Sequence, residues 1–191
     1  MKEDKIRKWE ILLSQVKLEC GFFPLQISTE KALRTFELAF PFSLPEDYKL
    51  FAQRMGCGTF GDSWISIDTP YELDVLEGVK SDKAQIDIYK DQFEEFPEIV
   101  SILDRSWCFA GRGQMFFTLS KKLLSVGDSS YEIYAIDDDG HICFIGESFF
   151  DFVKDCCLGR RILEEFPQLI KHMVPIDRKF DQVVKSTFTP G

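Results

Sequence analysis

Residues 29–67 read TEKALRTFELAFPFSLPEDYKLFAQRMGCGTFGDSWISI, and the signals in them run helix, tight joint, second helix, glycine loop, strand. The joint is Phe40-Pro41-Phe42-Ser43-Leu44-Pro45. A proline pushes the residue before it out of the α region, so helix stops here. Pro45 then suits the first helical position, where its missing N–H is no loss. Glu46 and Asp47 place negative charge at the positive end of the new helix dipole. Tyr48, Phe51, Ala52 and Met55 fall on one helical face, and Gly56 stands where a left-handed stop is expected. The turn through Gly56-Cys57-Gly58 and Gly61 leads to Trp64, Ile65 and Ile67, read as a strand. Upstream, Leu33 and Phe36 mark the inward face of a helix that Ser28 or Thr29 caps.

On either side the texture differs. Residues Lys2 to Glu19 read as one amphipathic helix, with Ile6, Trp9, Leu13 and Val16 on its stripe. A further helix is expected from about Lys83 to Glu95, with Ile86, Tyr89 and Phe93 inward, Asp82 as its cap and Pro97 as its end. Short apolar runs follow: Trp107 to Ala110, Gln114 to Leu119, Glu132 to Ile136 and His141 to Ile145 read as strands. Gly111-Arg112-Gly113 and Asp137-Asp138-Asp139-Gly140 are the expected hairpin turns. Ser148 caps a closing helix with Phe149, Phe152, Val153 and Cys156 inward, and Gly159 stops it. Residues 160–191 are expected to be a helical extension and a polar, loosely held tail beyond a domain spanning 1–159. Sequential hairpins with helices before and after imply an α+β fold: an antiparallel sheet with N-terminal helices and a closing C-terminal helix packed on it.

Composition bounds the function. With 191 residues and 45% hydrophobic content, the chain is long enough to bury a core. No apolar run reaches membrane-spanning length, and MKEDKIRKWEILL lacks a signal-peptide core, so the expected location is cytoplasmic. The six cysteines, Cys20, Cys57, Cys108, Cys143, Cys156 and Cys157, form no C-x-x-C pair and read as reduced, structural thiols.

The net charge of −9 is concentrated. Between Asp62 and Asp104 lie 12 acidic residues, Asp62, Asp68, Glu72, Asp74, Glu77, Asp82, Asp87, Asp91, Glu94, Glu95, Glu98 and Asp104, opposed only by Lys80, Lys83 and Lys90. The remaining 20 acidic and 20 basic residues cancel. A nucleic-acid binder needs the opposite sign. Two readings of the segment stand: a solvated face that keeps the chain soluble, or a contact surface for a basic protein partner. The contact reading selects Asp62, Asp68, Glu72, Asp74, Glu77, Asp87, Asp91, Glu94 and Glu95.

The search for chemistry returns no catalytic or cofactor site. His141 and His172 are far apart in sequence and stand in no zinc pattern. Aligning Gly140 with the invariant glycine of a calcium loop puts Ala135 first and Gly146 at the glutamate position, which fails. Cys57 between two glycines is the best nucleophile candidate, but it needs a base, and His141 serves only if the fold brings it near. Gly111-Arg112-Gly113 is neither a P-loop nor a dinucleotide fingerprint. Trp64 and Trp107, each in an apolar strand, read as core more readily than as interface anchors.

The order of motifs resembles the SMI1/KNR4 (SUKH) family. Thr29-Glu30-Lys31 opens a helix and Phe36-Glu37 closes it. Leu44-Pro45-Glu46-Asp47-Tyr48-Lys49 opens the next, and Met55-Gly56-Cys57-Gly58 ends it. WCFAGRGQMFFTL from Trp107 and SFFDFVKDCCL from Ser148 look like the family's glycine-turn hairpin and closing helix. Cys57 departs from the Asn-Gly-Gly-like loop usual there. The resemblance implies a binding module without catalysis or cofactor. Many bacterial members look like immunity proteins that occlude polymorphic or contact-dependent toxins, often basic nucleases. Eukaryotic members suggest an alternative, a regulatory scaffold for cell-wall synthesis.

Overall fold

Eight strands form one sheet in the order β1-β8-β2-β3-β4-β5-β6-β7. They are β1 (Lys17–Leu18), β2 (Gly58–Phe60), β3 (Ile65–Ile67), β4 (Ser106–Arg112), β5 (Met115–Lys121), β6 (Tyr131–Asp137), β7 (Ile142–Gly146) and β8 (Thr187–Pro190). The structure, a computed structural model, describes residues 2–18, 26–40, 43–61, 65–71, 75–112, 115–121, 131–166 and 187–190. Every strand pair is antiparallel except β1 with β8. The helices are α1 (Lys2–Leu13), α2 (Glu30–Ala39), α3 (Glu46–Arg54), α4 (Val75–Gln92), α5 (Pro97–Leu103), α6 (Phe149–Asp151), which continues as a π-helical stretch over Phe152–Cys157, and α7 (Arg161–Glu165). The expected α+β architecture is present.

The central strands are covered on both faces, which is why β5 reads as an apolar run. Phe116 meets Tyr89, stacked at 4.0 Å between ring centroids, and Phe93 on the α4 side. Its neighbour Phe117 meets Phe152 at 5.0 Å on the other side. On that second face Tyr48, Phe51, Phe109, Phe149 and Phe152 pack edge to face, with Trp107 against Tyr48 at 5.1 Å and Phe36 at 4.8 Å. Such edge-on aromatic pairs each add about 0.5–1.5 kcal/mol beyond their buried area. A bulge between Cys108 and Ala110 shifts the β4 register by one residue.

The helix signals around residues 29–67 hold, except that α3 begins at Glu46, with Pro45 at the cap position rather than the first helical one. The Thr29 hydroxyl accepts from the Ala32 N–H at 3.1 Å, and Ser28 instead donates to the Pro70 carbonyl at 2.7 Å. Leu33, Phe36, Tyr48, Phe51, Ala52 and Met55 are buried. Gly56 has φ +68°, and a Cβ there would stand 2.0 Å from the Gln26 carbonyl oxygen. Ser148 accepts from the Asp151 N–H at 3.1 Å, as a cap should.

Other expectations are corrected. The first helix ends at Leu13 rather than Glu19: Ser14 donates back to the Ile11 carbonyl, and Lys17–Leu18 leave to pair with Thr187 and Phe188. The glycine loop contains a strand of its own, β2, which was not expected. The helix predicted from Lys83 starts at Val75, because Val75 and Val79 extend the inward stripe of Ile86. Asp82 is therefore mid-helix and caps nothing. That helix ends at Gln92, before the expected Glu95 and without the help of Pro97, which instead opens α5 at its first turn. Gly111 and Arg112, read as turn, belong to β4 and pair with Phe116 and Met115, while Gly113 lies outside the described residues. The closing helix is α only for its first turn. Part of the tail expected to be loose is a strand: β8 lies between β1 and β2, with Phe188 fully buried against Phe60 at 5.0 Å. Trp64, with the core role read for it, and residues 167–186 lie outside the described residues.

A candidate acidic interface and an adjoining recess

Helix α4 turns Val75, Val79, Asp82, Ile86 and Tyr89 inward and leaves the opposite stripe to solvent. Of the nine carboxylates selected from sequence, Asp62, Glu72 and Asp74 lie outside the described residues. Glu77 is exposed but held by Lys80 at 2.6 Å. Asp87, Asp91, Glu94 and Glu95 are exposed, and Glu98 on α5 joins them. A spacing of four residues puts Asp87 and Asp91 along one side of α4, and Glu94 and Glu95 follow in the turn beyond its end. None of these five has an ion-pair partner among the described residues. Lys90, the lysine nearest them in sequence, is bound to Asp104 at 2.6 Å.

The fold adds charge that the sequence did not show to be adjacent. The turn Asp137–Gly140 packs onto the joint between α4 and α5, where a Cβ on Gly140 would lie 3.4 Å from the Phe96 ring. This brings Asp138 and Asp139 to the same end of the molecule as Glu94 and Glu95. Loss of water, then the neighbouring Asp137 and Asp139, raise the Asp138 carboxyl. Asp137 itself is buried and structural: its carboxylate accepts from the N–H groups of Asp139 and His141 and faces His141 Nδ1 at 2.9 Å. The hairpin-tip reading of these aspartates stands over the calcium one. Among the described residues no group of three or more His, Cys, Asp or Glu can hold a metal.

Asp68 and Asp82 have a different setting. They line a recess of about 360 Å³ between α2, residues 68–71 and α4, above the buried Trp107 and Phe36. The Trp107 indole N–H donates to Asp82 at 3.0 Å. Desolvation nevertheless outweighs that bond and, with Asp68 adding repulsion, raises the Asp82 carboxyl from 3.8 to about 6. Asp68 still reaches solvent, yet desolvation raises it as well, and its backbone carbonyl accepts the Tyr48 hydroxyl at 2.7 Å. The Thr69 hydroxyl is buried with no hydrogen-bond partner among the described residues. Gly78 lines the same recess from mid-helix, with nothing within 4 Å of where its Cβ would be. A glycine there costs about 0.5–1 kcal/mol relative to alanine, and no steric conflict requires it. Sequence reading assigned Asp82 to a cap and so missed the recess. Its only signal was the inward register of Asp82 on the stripe of Ile86 and Tyr89.

The thiol chemistry fails on geometry. Cys57 precedes β2 and His141 precedes β7, with four strands between, on the order of 24 Å at ordinary strand spacing. Cys57 contacts Gln26 Oε1 at 3.8 Å instead. Cys108 and Cys156 are pushed up to about 12 by desolvation, and Cys157 rises for the same reason, so these behave as packing groups. Trp107 is core, with its one polar atom bonded.

No helix among the described residues is long and apolar enough to cross a membrane. No curated protein and no solved structure matches the chain. The model of the SMI1 / KNR4 family (SUKH-1) matches residues 27–155, from the segment before α2 to the π-helical stretch, which is more than half of the chain. With its capped helix pair, antiparallel sheet and closing helix, this chain belongs to the SMI1/KNR4 (SUKH-1) family.

Proposed function

We propose that the protein is a cytoplasmic, non-catalytic immunity protein that neutralises a basic toxin domain by occlusion. The observation that carries this reading is the convergence of Asp87, Asp91, Glu94, Glu95 and Glu98 with Asp138 and Asp139 at the end where α4, α5 and the β6–β7 turn meet. Like charges gathered at one end repel each other, and a basic surface docking there relieves that repulsion. The same field speeds encounter with a positive partner. Glu77, held by Lys80, and Asp68, at the recess, are peripheral to this face.

The test is protection of cells on co-expression with any toxin domain found encoded beside this gene. The wild-type chain is expected to protect. Asp87→Lys, Asp91→Lys and Glu94→Lys together are expected to leave the fold intact and slow association at least tenfold at low salt. Protection that survives the triple substitution, or a complex whose association rate ignores salt, would refute the acidic contact. A chain that protects against no neighbouring toxin and instead binds several cellular partners would fit the regulatory-scaffold alternative.

A further inference from the structure

We propose that the outer edge of β7 pairs with the same edge of a second copy, giving a weak two-fold dimer through antiparallel strands. This goes beyond the toxin reading and does not depend on it. In the sheet order β7 stands last, with β6 on one side and no strand on the other. The Asp137 N–H donates to the His141 carbonyl at 3.3 Å and closes the β6–β7 hairpin. Alternation from that bond turns the backbone polar groups of Cys143 toward Ala135 and those of Ile142 and Phe144 outward. Among the described residues nothing bonds these outward N–H and C=O groups.

The side chains follow the same alternation. Cys143 and Ile145 are buried, while Phe144 is 48% exposed and Ile142 half-buried. Phe144 meets Tyr134 edge to face at 5.7 Å. The ladder sets both on the face of Phe116, where Tyr89 of α4 covers Phe116 and leaves Tyr134 and Phe144 in contact with solvent. Monomeric proteins blunt such an edge with lysine, proline or a bulge. Here those devices stand only at the far end of the strand: the register shifts past Tyr134, and Arg161 donates to the Ile145 carbonyl at 2.6 Å. Ile142-Cys143-Phe144 carries neither charge nor proline.

This opening is complementary to itself. A two-fold axis at Cys143 sets Ile142 opposite the second copy's Phe144, and Phe144 opposite its Ile142. The two pairs exchange four hydrogen bonds and leave none of the outward groups unmet. Each Phe144 ring then lies beside an Ile142 across the axis, so one apolar row runs from Tyr134 to its counterpart. The acidic β6–β7 turns point to opposite ends. Gly140 stands three residues from the axis, which keeps the turns at least roughly 20 Å apart, beyond the ~8 Å screening length at physiological salt. No carboxylate lies between Ile142 and Ile145 to draw a basic strand there instead. The opposite edge, β1, has only Lys17–Leu18, so pairing stops at two copies. So short a pairing buries less than about 1,200 Å², the size of a transient complex.

Sedimentation equilibrium of the full chain, from about 10 µM to about 1 mM, is the test. A monomer–dimer equilibrium with a dissociation constant on the order of 100 µM is expected. Phe144→Lys places a charge on each side of the axis at an exposed position and should weaken it at least about tenfold. Leu38→Lys, at an 87% exposed position on α2, should leave it unchanged. In the wild-type chain, deuterium exchange at the Ile142 and Phe144 amides should slow several-fold over the same range, while the Cys143 amide, bonded to β6, is protected throughout. A chain that stays monomeric at the highest concentration would overturn the proposal and leave the edge to a strand of another protein. A mass that climbs past the dimer, a dimer that Phe144→Lys does not weaken, or exchange at Ile142 and Phe144 that ignores concentration would overturn it too.

Discussion

Replacing Phe188 with alanine tests the least expected part of the fold. Phe188 is fully buried, 5.0 Å from the Phe60 ring and 6.2 Å from that of Phe51. Gly58 supplies the space for its ring: a Cβ there would stand 2.5 Å from Phe188 Cζ. Strand β8 is hydrogen-bonded on both sides, to β1 and β2, so the backbone around the ring has little freedom to close a void. Truncating a buried phenylalanine in such a site costs about 3–5 kcal/mol. With a urea m-value of about 2.5 kcal/mol/M for a chain of this size, the midpoint falls by about 1.2–2 M. Urea titration followed by tryptophan fluorescence reads this directly, and the slope should not change. Leu38→Ala is the control, since Leu38 is 87% exposed; it should move stability by less than about 0.5 kcal/mol. A Phe188→Ala shift under about 0.4 M, equivalent to about 1 kcal/mol, would mean that β8 does not complete the sheet.

Gly56→Ala should destabilise by at least about 2 kcal/mol, because a left-handed backbone penalises any Cβ and the Gln26 carbonyl occupies its place. Thermal or urea melts measure it, and a neutral result would refute the described turn. The pH dependence of stability tests Asp82. Its folded carboxyl holds a proton more tightly than the unfolded one, so stability contributed by the protonated form is complete below 3.8 and is lost as pH rises to about 6. Asp82→Asn should therefore gain on the wild type across that window and hold the advantage above it; parallel pH profiles would refute the raised carboxyl.

The helix pair was legible because its signals are local. Thr29 caps within three residues, Pro45 and Gly56 act on their own backbone, and the stripe Tyr48, Phe51, Ala52, Met55 has one period. The hairpins β4–β5 and β6–β7 were legible as paired apolar runs, and the β6–β7 tip by its turn residues, whereas Gly111 and Arg112 read as turn and are strand. What was misread depends on distant partners. Lys17–Leu18 continue a helical stripe in sequence and become a strand because Thr187 and Phe188 offer an edge. Asp82 looks like a cap until Val75 and Val79 are packed and Trp107 is beneath it. The acidic end was half legible: the excess charge of residues 62–104 was countable, but the arrival of Asp138 and Asp139 beside Glu94 and Glu95 is a product of the α5 corner. The recess joins residues from α2, β3's exit, α4 and β4, and no single window contains it.

The insertion of β8 between β1 and β2 has a consequence for biosynthesis. Strand β2 leaves the ribosome about 130 residues before the strand that covers its edge, a delay on the order of ten seconds at ordinary elongation rates. Until then a nascent chain carries Phe51 and Phe60 beside an open strand, the kind of surface that chaperones hold and that neighbouring polypeptides extend. Maturation of the β2 edge is thus gated by translation of β8, and ribosome-bound chains lacking β8 should be protease-sensitive at β2 while the Trp107 hairpin is already protected.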